Sequence, residues 1–578
     1  MSTVADAFGE AARDACAAWH GEQTALAVLV ALAAALPWLG PGWVHTDVLA
    51  AWLYLALSAT GLALTAGLAG LPSLAQGAFM SVGSFATALL AARAGWSASA
   101  AIPVAVAVAL LLALACGVVL VRLPPLYLAV STWLVAWLVL LVATEFPGVA
   151  GGSQGYTVPS DLSATGHYEL ALALTVLAVA GLSVLRRTRI GVSLRAIRDR
   201  PAAARALGVR SGRLLLGAFV ASAAVGGLAG SLAVQLAGVS DPNAFGPFTS
   251  FELLVAILLG GASYAGAGVV GVGVLGAIAL VGHAWAGLQN GAPAQLQPML
   301  ASTILLAILA LGGDGVIPLV LRYRPGRQRA LALPPPAPAA ASARPPAAVL
   351  TARGLWKSYG GVHALAGFDL DVAQGETVAL VGANGSGKTT ALRALAGALP
   401  VDKGEITLDG RPLSGLEPAV LAEAGIVRTL QQTSTFSTLT ALESALVGAG
   451  LHARSSGALR TVASTPRARA EATALRGAAF EALSFVGLAE HARWPAGLLD
   501  GFQQRLLMLA AALATSPRVL LLDEPSAGAA APERAQLVEI LREIRSRGIS
   551  LLVVEHNLPL VRAVADRVVV MADGKAAA

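Results

Sequence analysis

Apolar residues dominate the first 320 positions of the chain, in long runs separated by short polar segments. A helix needs about 20 apolar residues to cross the hydrocarbon core of a bilayer. A soluble core helix could imitate one such run, but not a whole series. The pattern therefore predicts a polytopic α-helical membrane domain with spans at roughly 24–39, 48–70, 74–93, 99–121, 124–143, 168–185, 213–237, 250–285 and 297–321.

The stretch 250–285 contains the glycine-rich sequence LGGASYAGAGVVGVG. It is compatible with one broken helix or with two short ones. Because the basic loop described below and the soluble half are both expected on the inner side, an even number of spans must separate them, so the predicted total is eight or ten. Ionisable residues inside apolar spans are functional candidates by default. Glu252, His283 and Asp314 are the ones that stand out here, although Glu252 and Asp314 lie near span ends, where an interfacial role is equally compatible.

The pattern changes after residue 321. Residues 322–348 are rich in Pro, Ala and Arg and carry no core-forming period, which is typical of an extended tether. Residues 349–578 have the pattern of an ordinary soluble α/β domain. We therefore predict a membrane domain over 1–321, a linker over 322–348 and a soluble domain over 349–578. The composition agrees, since only 12% of the residues are charged, against about 25% in soluble domains.

The longest basic loop, residues 186–213, holds nine arginines and one acidic residue, Asp199. Loops rich in Lys and Arg face the cytoplasm, so we expect the N-terminus and the soluble domain to lie inside the cell. The sequence AAARALG within this loop has a helix–turn pattern. A basic helix could bind anionic lipid, but we favour a helix that docks on a cytoplasmic partner domain through Ala202, Ala203 and Gly208.

The charge distribution and the cysteines narrow the setting of the protein. The net charge of +6 is compatible with nucleic acid or with anionic lipid, and its concentration in a loop between spans indicates membrane lipid and no nucleic acid. Cys16 and Cys116 show no metal spacing. They exclude a disulfide framework and favour a reducing cytoplasmic side.

The sequence GETVALVGANGSGKTTALRALAG carries the most specific motif of the chain. An apolar strand runs into G-x-x-x-x-G-K-[ST] and then into a helical pattern, the context in which this motif binds phosphates. Backbone N–H groups and the helix N-terminus would hold the phosphates of ATP. Lys388 would reach the β- and γ-phosphates, and the Thr389 hydroxyl would ligate Mg²⁺. The predicted nucleotide-binding residues of this loop are Gly382, Asn384, Gly385, Ser386, Gly387, Lys388, Thr389 and Thr390.

A second motif, RVLLLDEPSAG, completes the chemistry. The apolar residues predict a buried parallel strand that ends in Asp523, which can hold Mg²⁺ through water. Glu524 follows directly and can polarise the attacking water as a general base. Adjacent acidic residues at a strand end often form only a solvated turn, but their position downstream of a phosphate loop favours catalysis.

These motifs resemble those of the ATP-binding cassette (ABC) family, and the resemblance covers the whole soluble half. It implies that Tyr359 stacks on adenine, that Gln431 contacts Mg²⁺ and signals to the membrane domain, and that His556 contacts the γ-phosphate. A Tyr, Gln or His at such places is more often structural when taken alone. In this order and spacing, the three support one another.

The resemblance narrows to importers of branched-chain amino acids. GIVRTLQQTSTFSTLTALESALVG resembles their ATPase subunit, and RLPPLYLAVSTW and ELLVAILLGGASYAGAGVVGVGVLG resemble their permease. The permease and ATPase are fused in this chain. Membership would imply import across the bacterial inner membrane with ATP and Mg²⁺. It would also imply a second permease subunit, a second ATPase subunit and an extracytoplasmic solute-binding protein.

The sequence departs from the family in the loop that an ATPase offers to the nucleotide of its partner. Asp500 replaces the usual serine there, and Phe502 replaces the second glycine. Ala530 likewise replaces an Asp or Asn that normally crosses the dimer interface. The resemblance therefore implies an asymmetric pair, in which the site on this chain's own phosphate loop hydrolyses ATP and the opposite site is weak. The altered signature loop comprises Leu499, Asp500, Gly501, Phe502 and Gln503.

Three functions remain open from the sequence. An importer of branched-chain or other small apolar amino acids is favoured, and related importers also carry urea or amides. An exporter is less compatible, because exporters usually place the cassette after six spans. A regulatory cassette with a degenerate ATPase is the third, and it would explain Asp500, Phe502 and Ala530.

Overall fold

A computed structural model describes residues 45–152, 155–288, 303, 306–307, 315–322, 350–429, 435–453, 461 and 465–577. The chain divides into two units. One comprises Met1–Arg187 and Gly212–Arg329, and the other comprises Thr188–Ser211 and Ala330–Ala578. Residues 188–211 of the basic loop thus belong to the same unit as the soluble half. The predicted division at 321 and 348 stays a prediction, because residues 323–348 of the linker lie outside the described residues.

The first unit is built from apolar helices. Six of its described helices are long and apolar enough to cross a membrane: Thr46–Leu68, Gln76–Ala94, Ala98–Leu120, Pro125–Glu145, Ala164–Arg187 and Ser211–Ala237. The first of these is an α-helix over Thr46–Leu62 that continues as a π-helix over Ala63–Leu68. The predicted span 24–39 and most of 297–321 lie outside the described residues.

The predicted stretch 250–285 consists of two helices, Pro247–Gly260 and Ala267–Leu288. Gly261 ends the first with a φ of +103°, a backbone conformation that glycine adopts readily because it has no Cβ. The two helices pack closely: a Cβ atom on Gly260 would lie 2.0 Å from the carbonyl oxygen of Ala267. Of the two alternatives left open by the sequence, the structure shows two short helices.

Small residues allow the helices of this unit to approach one another. A Cβ atom on Gly230 would lie 2.0 Å from the Met80 carbonyl oxygen, and one on Gly83 would lie 2.1 Å from that of Gly227. Such close approach compensates for the absence of a hydrophobic driving force between helices in lipid. The Gln76 side chain, which is fully buried, adds polar contacts: it donates to the Ser58 carbonyl at 3.0 Å and accepts from the Ser222 hydroxyl at 3.0 Å.

The second unit contains two sheets. A four-stranded antiparallel sheet has the order β2-β1-β4-β5, and a six-stranded sheet has the order β10-β9-β3-β8-β7-β6, in which all pairings except β9–β10 are parallel. The strands are Leu350–Tyr359 (β1), Val362–Val372 (β2), Thr377–Gly382 (β3), Lys403–Leu408 (β4), Arg411–Pro412 (β5), Ile426–Arg428 (β6), Val519–Asp523 (β7), Ser550–Val554 (β8), Arg567–Ala572 (β9) and Lys575–Ala577 (β10).

Helices flank the larger sheet, and every residue of β7 and β8 is buried, as in parallel sheets that are covered on both faces. The α-helices of this unit are Arg189–Asp199, Pro201–Ala206, Lys388–Leu395, Pro418–Ala424, Ala441–Ala449, Pro466–Phe485, Gly501–Leu513, Ala531–Ser546 and Leu558–Val564. Because β3, β7 and β8 are parallel neighbours, their carboxyl ends lie at one edge. Ligands of open α/β sheets bind at that edge.

Candidate functional site

The phosphate loop has the predicted strand–loop–helix form. β3 ends at Gly382, and a helix begins at Lys388. Gly387 has a φ of +102°, and a Cβ atom there would lie 2.3 Å from the Ala364 carbonyl oxygen. Glycine is therefore required at this position on both conformational and steric grounds. Asn384 and Gly385 are exposed at the tip of the loop.

Lys388 lies inside this loop. Its ammonium group donates to the carbonyl oxygens of Gly382 and Ala383, both at 2.8 Å. Burial lowers the pKa of Lys388, and the nearby Glu524 carboxylate acts in the opposite direction. Thr389 and Thr390 follow in the first turn of the helix and are partly exposed.

Two buried oxygen atoms at this edge have no hydrogen-bond partner among the residues that the structure describes. They are Oγ of Ser386, in the phosphate loop, and Oδ1 of Asp523, at the end of β7. Unpaired buried polar atoms are rare in proteins. Together with the loop of N–H groups and the Lys388 ammonium, they fit the phosphates of a nucleotide and the divalent cation that accompanies them.

Asp523 is held by a residue to which the sequence analysis gave no role. Arg428, the last residue of β6, donates to Oδ2 of Asp523 at 2.8 Å. The two side chains are 7% and 0% exposed, respectively. The ion pair turns one carboxylate oxygen towards Arg428 and leaves Oδ1 for other ligands. Because the pairing follows from the β6–β7 register, only the three-dimensional arrangement reveals it.

Glu524 and His556 are brought together at the ends of β7 and β8. Oε1 of Glu524 lies 3.4 Å from Nε2 of His556. Glu524 has a φ of +49°, which is uncommon for a residue with a side chain. Its N–H donates to the Val554 carbonyl at 2.9 Å, which ties the turn to β8. A strained conformation is often found at functional sites.

Glu555 is a second residue that the sequence analysis missed. Its carboxylate is buried and accepts N–H groups from both loops at this edge, namely Ser526 at 2.8 Å, His556 at 3.0 Å and Asn557 at 3.2 Å. The available signal was an acidic residue directly before His556, the residue predicted to contact the γ-phosphate. Its burial and contacts could not be inferred from the sequence.

The two remaining residues that were predicted to contact the nucleotide or its Mg²⁺ are Tyr359 and Gln431. Tyr359, the last residue of β1, is 49% exposed, and the Lys357 ammonium lies 5.9 Å from the centre of its ring. The ring is therefore accessible to a base. Gln431 lies outside the described residues.

The signature loop forms a helix N-terminus. Asp500 caps the helix Gly501–Leu513: its Oδ1 accepts the Gln503 N–H at 2.7 Å, and the Gln503 side chain accepts the Asp500 N–H at 3.1 Å. Gln504 binds the Leu499 carbonyl at 2.8 Å. Gly501 is exposed, whereas the Phe502 side chain is 7% exposed and points into the unit. The carboxylate of Asp500 thus occupies the place at the helix N-terminus where an anion would bind.

Ala530 precedes the helix Ala531–Ser546 and offers no side-chain cap. The Glu533 carboxylate instead accepts the Ala530 N–H at 2.7 Å. The exposed end of this loop therefore carries no amide or carboxylate from residue 530.

The basic loop docks on the ATPase half within one unit. Asp199 accepts the N–H and the hydroxyl of Thr438, each at 2.8 Å, and Arg195 donates to Glu443 at 2.5 Å. Arg210 pairs with Glu423. Glu443 also accepts the Thr440 N–H at 3.0 Å in the capping box of the helix Ala441–Ala449. These contacts join the loop to two segments of the soluble half, one at Glu423 and one over residues 438–443.

Ala202, Ala203 and Gly208, the residues predicted to dock the basic loop, lie in the same region. Ala203 is buried, whereas Ala202 is exposed. Gly208 has a φ of +89°, and a Cβ atom on it would lie 2.5 Å from Cδ1 of Leu451. Of the three residues, Ala203 is buried and Gly208 packs against Leu451, whereas Ala202 is exposed to solvent.

Comparisons with known proteins agree with a membrane domain that is followed by a nucleotide-binding domain. Residues 45–310 match the family described as the permease component of the branched-chain amino acid transport system, and residues 365–527 match the ABC transporter family. BraF of Pseudomonas aeruginosa, a high-affinity branched-chain amino acid transport ATP-binding protein, is 36% identical over 39% of this chain and 89% of its own length.

Other relatives have different cargo in their names. FrcA of Rhizobium meliloti, a fructose import ATP-binding protein, is 32% identical over 38% of this chain and 83% of its own length. The ADP conformation of the ATP-binding cassette MJ1267 is 31% identical, covers 40% of this chain and 90% of that one, and has a TM-score of 0.35.

The chain belongs to the ABC transporter family and is a component of an ABC importer whose ATPase domain hydrolyses ATP in coupling with transport. Within that family, a permease component of the branched-chain amino acid type and an ATPase are fused in a single chain. The predicted fold class is thereby confirmed, with six candidate spans among the described residues.

Proposed function

We propose that this chain is the fused permease–ATPase subunit of an importer of branched-chain or related small apolar amino acids in a bacterial inner membrane. The observation that carries the proposal is the match of residues 45–310 to the permease component of that transport system. The permease forms the path of the solute, whereas the ATPase does not contact it. The permease match is therefore stronger evidence about the solute than the similarity of the ATPase half to the fructose import ATPase FrcA.

We propose the following roles at the nucleotide site. Tyr359 stacks on the adenine ring, and the N–H groups of the loop Gly382–Thr390 bind the phosphates, with Lys388 leaving its own carbonyl partners to reach the β- and γ-phosphates. Mg²⁺ would be held by Thr389, Gln431 and Asp523, and it would neutralise charge that develops on the phosphates. The unpaired Oδ1 of Asp523 supports its role as the cation-facing atom.

Glu524 is proposed as the general base that accepts a proton from the attacking water. His556, 3.4 Å from Glu524, would donate from its ring towards the γ-phosphate and keep the Glu524 carboxylate in place. The docking of Asp199, Arg195 and Arg210 on the ATPase half supports the proposal that the basic loop transmits closure of the ATPases to the permease.

The second ATP site of the pair is formed by the partner's phosphate loop and this chain's signature loop. We propose that it hydrolyses ATP only weakly. The N-terminus of a helix attracts an anion, but the Asp500 carboxylate already occupies that position in the helix Gly501–Leu513. A phosphate brought to this loop would meet a like charge at a cost of about 1 kcal/mol in bulk water and more in a dry interface. Two copies of this chain would form two such sites. The partner is therefore proposed to be a different ATPase subunit with an intact signature loop, accompanied by a second permease subunit and a solute-binding protein.

A cassette with a degenerate, regulatory ATPase is the second candidate, and the contacts of Asp500 and Ala530 favour it. Against it, Lys388, Asp523, Glu524 and His556 form an intact site of their own.

Titration calorimetry of the associated solute-binding protein tests the substrate. The proposal predicts binding of leucine, isoleucine or valine. Binding of urea or fructose, with none of an aliphatic amino acid, would contradict it.

A further inference from the structure

The Glu555 side chain lies between the two loops that carry the proposed catalytic groups. It is 3% exposed. One carboxylate oxygen accepts the Ser526 N–H at 2.8 Å, and the other accepts the N–H groups of His556 and Asn557 at 3.0 and 3.2 Å. A carboxylate only accepts hydrogen bonds, so three donors that converge on it from two loops match its chemistry.

These bonds join the two loops at a second point. The first is the backbone bond from Glu524 N–H to the Val554 carbonyl, at 2.9 Å. Ser526 lies two residues after Glu524, and Glu555 lies one residue after Val554. The turn that holds Glu524 at a φ of +49° is thus fixed on both sides to the segment that carries His556.

We propose that Glu555 is a positioning residue for ATP hydrolysis: its carboxylate holds the backbone of His556 against the turn of Glu524, so that the two side chains keep their 3.4 Å contact. This inference rests on the proposed roles of Glu524 and His556. It adds to those roles that the segment after β8, which carries His556, and the turn after β7, which carries Glu524, move together when the site binds or releases nucleotide.

The geometry also predicts that glutamine, although it has nearly the same shape, is not a conservative replacement for Glu555. In Glu555→Gln one oxygen becomes an NH₂ group, which faces an N–H donor whichever way the amide is oriented. The amide therefore satisfies one loop and opposes the other. Hydrogen bonds to a charged acceptor contribute more than those between neutral groups, so we expect Glu555→Gln to resemble Glu555→Ala rather than the wild type.

The experiment uses the full-length chain purified with its partner subunits and measures kcat and KM for ATP, binding of a fluorescent ATP analogue, and melting temperature. We expect Glu555→Gln and Glu555→Ala to lower kcat by at least about tenfold, with KM for ATP within about twofold. Glu539→Gln is the matched control, since Glu539 is 75% exposed and distant from these bonds in sequence. It should leave all quantities unchanged.

A double-mutant cycle with His556→Ala separates positioning from general support of the fold. If Glu555 acts through His556, then Glu555→Ala lowers kcat no further in the His556→Ala background. Multiplicative losses, or wild-type kcat in both Glu555 variants, overturn the proposal. Wild-type turnover in His556→Ala alone would instead contradict the proposed role of His556, whatever Glu555 does.

If Glu555→Gln and Glu555→Ala do not fold, Glu555→Asp is the variant to measure. It keeps the charge but is one methylene shorter, so it cannot reach both loops. A lower kcat at an unchanged melting temperature supports positioning, and a wild-type kcat overturns it.

Discussion

Nε2 of His556 lies 3.4 Å from Oε1 of Glu524, across the ends of two adjacent parallel strands. The contact joins the residue proposed to sense the γ-phosphate with the one proposed to activate water. We predict that His556→Ala retains ATP binding and lowers kcat by roughly 10²–10³-fold, the range typical when one hydrogen-bond donor to the transition state is removed. Steady-state turnover and equilibrium binding on the same preparation check this. A variant that loses binding and turnover in parallel would contradict it.

The buried ion pair of Arg428 and Asp523 predicts an effect on stability. Arg428→Met leaves the Asp523 carboxylate buried without its partner, which is expected to reduce the free energy of unfolding by about 3–5 kcal/mol. The melting temperature of the ATPase half should then fall by roughly 6–20 °C.

The double variant Arg428→Met/Asp523→Asn serves as the control, because it removes both charges. It should recover much of the stability without recovering activity. A double variant less stable than Arg428→Met alone would show that the ion pair is not the source of the loss.

The docking contacts of the basic loop predict a loss of coupling rather than of hydrolysis. Arg195 and Glu443 are 15% and 25% exposed, whereas Arg210 and Glu423 are 42% and 37% exposed. Exposed ion pairs contribute little. Arg195→Glu should therefore reduce solute transported per ATP hydrolysed in proteoliposomes far more than Arg210→Glu. Equal effects of the two substitutions would argue against a specific role for the half-buried pair.

Gly208 offers a steric test of the same docking. Alanine there has an unfavourable φ, and its Cβ atom would lie 2.5 Å from the side chain of Leu451. Gly208→Ala should lower the transport-to-hydrolysis ratio, and adding Leu451→Ala should restore part of it by removing the clash. The strain at φ +89° should remain. Complete restoration would show that strain is unimportant.

The altered signature loop predicts a gain of function. Asp500→Ser with Phe502→Gly removes the carboxylate from the helix N-terminus and should activate the second site, which raises ATP turnover by at most about twofold if both sites then fire equally. Phe502→Gly alone should only destabilise the unit, because that side chain is buried. Turnover in the assembled transporter, compared with the melting temperature, distinguishes the two effects.

Local sequence predicted much of the site. The strand that enters the phosphate loop and the buried strand that ends in Asp523 are both confirmed, because a strand, its flanking loop and the next helix are neighbours in the chain. The glycine-rich stretch at 250–285 is compatible with one broken helix or with two helices when only its sequence is considered. Composition does not reveal whether a glycine-rich segment turns or continues.

Arg428 and Glu555 could not be predicted from local sequence. Arg428 meets Asp523 across 95 residues, and its role depends on the register of β6 with β7. Glu555 receives the Ser526 N–H across 29 residues, through the pairing of β7 with β8. The basic-loop sequence predicts docking on a cytoplasmic domain, but the loop's hydrogen-bond partners there, the donor Thr438 and the acceptor Glu443, lie more than 200 residues away in sequence.

We propose that ATP is hydrolysed at the site built on this chain's phosphate loop, with the partner supplying the signature loop. The decisive measurement is ATP turnover of the assembled transporter carrying Glu524→Gln in this chain, or the equivalent substitution in the partner ATPase. We expect Glu524→Gln to abolish most turnover and the partner's substitution to have little effect. Unchanged turnover in Glu524→Gln, with turnover abolished by the partner's substitution, would contradict it.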